Sequence, residues 1–394
     1  MSRFLIATWD GAGNLVPTLG LARRLCRAGH DVRVLGHRSI DDRCGNHGWR
    51  FRALELTPDV DSSAAHDPAG ELSAMAQHLW FSSAVVDDVR RELAREAADV
   101  LVADCMLFGA MSVGQALGVP TAALFHGAFA LFRSGPLADA LTTWLPALNA
   151  IRAGLGLTGV ERIGDVHDRC ALSVVATARE FEPVMPRPAN VLFAGPILDA
   201  PPLVAAADRI AAGEGGGPLV LVSFSTGNQA QHAVVQRAID ALASVAARAV
   251  VTTGPAIDPG SLQPAANVEI VRFVPHMRLL PRASLVVTHA GLGTVMAALE
   301  HGVPLLCMPL GRDQFFNASR VEAIGAGRAI GADAGVEAIA AAVRALLHDE
   351  AAQAAARRFA TVIAGYGGAA AAVEQLEALS NIALPMSDAC LRSA

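Results

Sequence analysis

Short apolar runs, each closed by a glycine-rich turn and followed by a helical stretch, recur along this chain, and that alternation admits few folds. Residues 4–8 form the first run, followed by the turn Asp10-Gly-Ala-Gly-Asn14. A helix then spans 16–28 with Leu19, Leu21, Ala22 and Leu25 inward, Gly29-His30 stops it, and 31–35 is the next strand. The unit is βαβ, which dictates parallel pairing. It recurs at strand 100–104, helix 108–117 and strand 120–125, and again toward 173–177 and 191–193. Residues 57–81 and 127–166 have weaker periodicity and read as loops and helices lining a cleft. Residues 199–217, rich in Pro, Gly and Ala, read as a linker. A second series then runs through strand 219–223, helix 230–247, strands 249–253, 268–271 and 284–288, helix 294–301 and strand 304–308. Helices near 316–325, 335–348 and 368–379 close it.

The expected class is therefore α/β, with two doubly wound, Rossmann-like domains facing a central crevice at the carboxyl ends of their strands. The boundaries expected are 1–200 for an N-terminal domain, 201–217 for the linker and 218–370 for a C-terminal domain. Residues 371–394 would form a closing helix and tail packing back on the first domain. A chain of 394 residues has ample length for two cores, and 53% hydrophobic against 17% charged residues suits buried parallel strands.

Charge excludes several function classes. The net charge is −6 without a basic run, which argues against nucleic acid as a partner. All 31 basic residues are Arg, which removes Schiff-base chemistry and a Walker P-loop. The six Cys, at 26, 44, 105, 170, 307 and 390, never pair as CxxC and suit a reducing compartment. No apolar run is long enough to cross a bilayer, and the apolar start is too short for a signal peptide. The expectation is a soluble, cytoplasmic protein, with a homodimer left open.

The most informative stretch runs from Phe273-Val-Pro-His276 through Thr288-His-Ala-Gly-Leu-Gly-Thr294 to Arg312-Asp-Gln314. An apolar strand ends in a turn with glycines at 291 and 293, and a helix is expected to open at Thr294. Glycines let backbone N–H groups approach an anion, and the helix N-terminus adds positive potential. Thr294 would cap the helix and donate its hydroxyl to a phosphate, with His289 bonding the same group. Taken alone, a plain strand–turn–helix junction with a capping Thr explains these residues equally well.

Taken together, 273–314 resembles the nucleotide-sugar signature of family 1 glycosyltransferases, and within them actinobacterial natural-product enzymes. The likeness extends more weakly over the whole chain. It implies a GT-B fold and an inverting, metal-independent transfer without cofactor, from a nucleotide-diphosphate sugar held by the C-terminal domain to an acceptor on the N-terminal one. By resemblance Phe273 stacks on the base and the Val274 backbone reads its edge. His289, Gly291, Gly293 and Thr294 form the diphosphate loop. Asp313 and Gln314 bind sugar hydroxyls, and Ser225 and Thr226 make a second nucleotide contact. For Ser225 and Thr226 a capped turn is the competing reading. Relatives using UDP-sugars carry a ribose-binding Glu at the position of Ala297, so a dTDP-sugar, often a deoxysugar, is favoured over UDP.

The resemblance also places a catalytic His where this chain has Asn14, with Asp104 as the supporting carboxylate. An amide cannot act as a base. Three explanations stay open: Asp10 or Asp104 takes the proton directly with a pKa raised by burial, the acceptor is acidic enough to need little help, or the chain is a non-catalytic helper of a partner glycosyltransferase. For Asp10 an Asx-turn is the bland alternative. For His126, after the strand ending at Phe125, a structural role accounts for the residue at least as well as a catalytic one. The aromatic content of 78–81 and 124–148 suits a hydrophobic acceptor, although core packing explains it equally. His232, His301 and His348 read as solvated, Asp87-Asp88 as an exposed helix face, and no metal-ligand spacing occurs. An oxidoreductase is disfavoured because Gly11-Ala-Gly13 lacks the third glycine; a sugar isomerase on the same fold is not excluded.

Overall fold

The computed structural model describes residues 1–11, 13–41, 48–59, 68–198 and 217–382, so nearly all of the expected linker lies outside the described residues. The chain divides into two compact units. One comprises the described residues up to Ile197 together with those from Gly367 on; the other runs from Leu198 to Tyr366.

The first unit carries strands β1 (Arg3–Ala7), β2 (Asp31–Gly36), β3 (Arg50–Ala53), β4 (Val100–Asp104), β5 (Thr121–Phe125), β6 (Leu172–Val175) and β7 (Val191–Phe193). They form one sheet in the order β3-β2-β1-β4-β5-β6-β7, and every pair is parallel. The strand order reverses between β1 and β4, which marks the topological switch point. β3 was not expected; its Arg-Phe-Arg-Ala sequence is too polar to read as a buried run. It is an edge strand and only partly buried.

The helix Leu15–Arg27 turns Leu15, Leu19, Leu21, Ala22 and Leu25 into the core. Its basic residues Arg24 and Arg27 sit in the last turn, where they complement the helix dipole. The closing helix Ala369–Ile382 belongs to this unit: Ala372, Val373 and Leu376 enter the core of Ile6, Val34, Val102 and Leu124, and Gly368 N–H donates to Ala194 O at 2.7 Å.

The second unit has β8 (Leu219–Ser223), β9 (Arg248–Thr252), β10 (Val268–Val271), β11 (Ala283–Thr288), β12 (Leu305–Cys307) and β13 (Gly327–Ala329). Their order is β10-β9-β8-β11-β12-β13, again all parallel, with the switch between β8 and β11. The short, polar β13 also went unread in the sequence.

Three expectations need correction. Asp88 is not on an exposed face: it is buried and accepts the backbone N–H groups of Glu55, Leu56 and Thr57 and the Thr57 hydroxyl. The helix expected over 230–247 is the shorter His232–Leu242. The aromatic residues proposed for an acceptor surface are largely core: Trp80, Phe81, Phe125, Phe129 and Phe132 are buried, with Phe81 stacked on Phe108 at 4.9 Å.

Because Leu376 is fully buried against the first sheet, Leu376→Ala should destabilise the first unit by about 2–5 kcal/mol. Chemical unfolding followed by a fluorescence probe in that unit checks this; a loss under about 0.5 kcal/mol would mean the closing helix is not part of that core.

Candidate active site

In the second unit β11 ends at Thr288 and the helix Leu292–Glu300 follows. The helix begins two residues earlier than expected. Gly291, with φ −60° and ψ 135°, occupies the N-cap, and the first helical bond runs from Val295 N–H to Gly291 O at 3.0 Å. Thr294 is therefore inside the first turn and does not cap. The N–H groups of Leu292, Gly293 and Thr294 lack intrahelical acceptors and point out of the helix end.

The residue with the left-handed backbone is Ala290, at φ 66°, its N–H bonded to the Thr288 hydroxyl at 3.3 Å. Arg312 takes φ 54°. Non-glycine residues in this region carry strain of order 1 kcal/mol, and such positions concentrate at functional sites. A Cβ on Gly291 would lie 2.6 Å from His289 Nε2, so the glycine is required by the ring packed against it. A Cβ on Gly293 would meet nothing within 4 Å and would enter open space.

His289 is buried and stacks on Phe224, centroids 6.1 Å apart. Burial pushes its pKa down to about 4; the Ser223 backbone opposes this and Arg312 adds to it. The imidazole is neutral at neutral pH, and offers an anion a hydrogen bond rather than a charge. Phe273 is 63% exposed, free to meet a planar group, whereas Val274 is buried and offers only backbone.

Ser225 accepts from Gly227 N–H at 3.2 Å, the capped turn, and from Gln229 Nε2 at 2.7 Å. Its own hydroxyl proton remains to be donated. Thr226 is exposed. Gln314 is buried: Oε1 accepts from Leu310 and Gly311 N–H at 2.8 and 3.1 Å, and Nε2 donates to Gln229 Oε1 at 2.8 Å. Gln314 thus ties the 310–314 loop to the turn after β8. Asp313 is partly exposed and accepts from Asn317 Nδ2 at 2.9 Å. Asn317, which the sequence reading missed, also donates to Ala290 O at 3.0 Å and so holds Asp313 to the diphosphate turn. Its spacing of four from Asp313 on one helix face was the available signal.

In the first unit, Asn14, Asp104 and His126 follow β1, lie at the end of β4 and follow β5, three neighbouring strands. Asn14 is buried; its Nδ2 donates to Trp9 O at 2.9 Å and Asp104 Oδ2 at 3.1 Å, and its Oδ1 accepts from Gly11 N–H at 3.1 Å. It sits at the N-cap of the helix Leu15–Arg27 but makes no capping bond, because its amide is engaged on these partners. Asp104 also accepts from Met106 N–H at 2.9 Å, and its Oδ2 lies 3.0 Å from His126 Nδ1. Asp104, Cys105 and His126 bring one heteroatom each within 4.8 Å of one another.

This corrects the expectation that burial raises the Asp104 pKa toward a base's range. Burial does act upward, but His126, Met106 N–H and Asn14 together overcome it and hold the carboxyl below its ordinary value. Burial pushes the Cys105 thiol up, which keeps it protonated. Of the two partners of an Asx-turn at Asp10, Gly13 N–H bonds to Gly11 O instead and Ala12 lies outside the described residues; the Asp10 carboxylate accepts from the Ser39 hydroxyl at 2.8 Å.

Comparison with known proteins agrees with this architecture. Residues 236–379 match the family described as erythromycin biosynthesis protein CIII-like, C-terminal domain. The chain is 28% identical over 370 residues to 4'-demethylrebeccamycin synthase of Lentzea aerocolonigenes, covering 83% of this chain and 87% of that protein. The structure of CalG4, the calicheamicin glycosyltransferase, superposes with a TM-score of 0.80 at 22% identity, covering 98% of this chain and all (100%) of that one. That of the glycosyltransferase VinC in complex with dTDP has a TM-score of 0.75 at 17% identity, covering 96% and 100%. The chain is a GT-B glycosyltransferase. No helix among the described residues of this glycosyltransferase is long and apolar enough to cross a membrane.

Gly291→Ala should displace His289 and cost about 1–3 kcal/mol, because the added carbon meets the ring at 2.6 Å. Gly293→Ala, which meets nothing, should leave stability unchanged or raise it by under about 1 kcal/mol. Thermal unfolding of the two variants side by side checks the contrast; equal effects would overturn this account of the turn.

Proposed function

We propose that this glycosyltransferase carries out an inverting, metal-independent transfer of a sugar, most readily a deoxysugar, from a dTDP- or UDP-sugar to a small hydrophobic natural-product acceptor. The observation that carries the donor side is the first turn of the helix Leu292–Glu300, whose N–H groups have no intrahelical acceptor and which carries an exposed Gly293 beside a neutral His289. A diphosphate fits that arrangement: it takes several N–H donors and the positive end of the helix dipole. Phe273 gives a base a face to stack on, and Asp313 offers a carboxylate to sugar hydroxyls.

Ala297 supports dTDP over UDP. A carboxylate there would bond both ribose hydroxyls, and its absence costs a deoxyribose less. The VinC structure in complex with dTDP agrees with this preference. The relation to 4'-demethylrebeccamycin synthase supports a natural-product acceptor.

The reading is tested by incubating the protein with dTDP- and UDP-sugars and a panel of phenolic and polyketide acceptors, and following nucleoside diphosphate release. Release should be faster from dTDP-sugars and unaffected by EDTA. Gly293→Ala should keep the fold and weaken dTDP binding at least roughly tenfold, since its methyl fills the space the phosphate needs. Unaltered dTDP affinity in that variant would place the nucleotide elsewhere. Nucleotide binding without release on any acceptor would favour the helper reading, which Asn14 motivates.

A further inference from the structure

A transfer to a hydroxyl acceptor needs a proton taken up. Of the two carboxylates expected to take it, Asp104 is a stabilised carboxylate and Asp10 is engaged by the Ser39 hydroxyl, while Asn14 is an amide. His126 stands on the other side of that carboxylate. Its Nδ1 lies 3.0 Å from Asp104 Oδ2, while Nε2 has no hydrogen-bond partner among the described residues, and 22% of its side chain remains exposed. An Nδ1–H donated to Asp104 leaves the lone pair on Nε2, the tautomer a base requires.

We propose that His126 is the general base of the transfer, with Asp104 holding its ring; this rests on the reading of the chain as a nucleotide-sugar-dependent transferase. Nε2 takes the acceptor's hydroxyl proton as the oxygen bonds to the anomeric carbon. The bond from that carbon to the diphosphate oxygen breaks, and its electron pair leaves with the nucleoside diphosphate. The imidazolium so formed is stabilised by Asp104.

Asp104 acts through His126 and is a positioning residue. Asn14 positions Asp104 through its bond to the same Oδ2. His167 positions the end of β4: its Nε2 lies 2.8 Å from Cys105 O, within a ring cage of Phe108, Phe125 and Phe132. The arrangement is a histidine–carboxylate pair built on the strand β5 side of Asp104, in place of the first turn.

The pair has a pH signature. Burial lowers the His126 pKa, but the Asp104 carboxylate, at the end of β4, carries it well above the ordinary histidine value, and the protonated Cys105 thiol beside it adds no charge. From the first turn the uncharged Trp9 ring packs at 6.4 Å. A base works unprotonated, so activity should rise with pH through that elevated pKa, later than a free imidazole would allow.

The experiment compares wild type, His126→Ala and Asp104→Asn for turnover from pH 5.5 to 10, with dTDP affinity and thermal unfolding measured on each. His126→Ala should lose roughly 10²–10⁴-fold in kcat, abolish the rising limb and recover activity with added imidazole, while binding dTDP as wild type does. Asp104→Asn should keep a limb but move it to lower pH, because the charge that raises the His126 pKa is gone. Turnover of His126→Ala within about threefold of wild type would overturn the proposal, as would an unmoved limb in Asp104→Asn. Activity abolished by EDTA and restored by zinc would overturn it too. If wild type releases no nucleoside diphosphate, the transferase reading fails by itself. Imidazole ¹⁵N NMR of the intact protein then reads the pair directly: a His126 Nδ1–H on Asp104 with an elevated pKa supports it, and an ordinary pKa overturns it.

Discussion

Parallel strands cannot be joined by a tight turn, so each return needs a helix, and every strand of a sheet starts at one edge and ends at the other. In this protein all the chemistry-bearing side chains follow from that. Trp9, Asn14, Asp104 and His126 gather because β1, β4 and β5 are neighbours and all end at one edge. The same constraint brings Ser225, after β8, beside His289, after β11, at the other sheet's switch point. There the Ser225–Gln229–Gln314 chain and the Asn317 bond to Ala290 fix the loops to each other. These loops can then hold left-handed non-glycine residues, Ala230, Ala290 and Arg312, because several bonds determine their paths.

Environment sets opposite roles for the same residue type. His289 and His167 are buried and His276 is half-buried, and desolvation pushes each pKa to about 4, so each serves as a neutral hydrogen-bonding group. His126 is partly desolvated as well, but a carboxylate lies 3.0 Å from its Nδ1 and reverses the outcome. A charge attracted at that distance in a partly dry site outweighs the cost of burial. Asp104 gains by the same contact, which explains why so buried a carboxylate stays ionised. These two are one electrostatic unit.

Much of this was legible. Apolar runs closed by glycine located most of the strands, and β7, β8 and β10 fall where the sequence put them, at 191–193, 219–223 and 268–271. What failed did so for physical reasons. Gly-Leu-Gly-Thr reads as a turn capped by Thr294, since Thr is a common cap; the helix instead starts at Leu292, because Ala290 takes the positive φ that a glycine was expected to supply. Asp88 looked solvated because its partners, the N–H groups of residues 55–57, lie some thirty positions away in a loop without pattern. The His126–Asp104 contact required the strand order, which places β5 next to β4; neither residue type nor spacing carries it.

Asn14 then looks less like a lost base than a residue compatible with a different one. Asp104 Oδ2 accepts from Asn14 Nδ2 on one side and faces His126 Nδ1 on the other. A histidine at both positions would compete for that oxygen, and once one ring was protonated the other would face a like charge across a buried carboxylate. An amide at 14 removes the conflict: it donates without titrating, and its second hydrogen and its oxygen fasten the first turn through Trp9 O and Gly11 N–H. The helix Leu15–Arg27 consequently begins without a side-chain cap. That omission costs of order 1 kcal/mol. Such a sacrifice is understandable only if holding Asp104 matters more to the chain than finishing the helix.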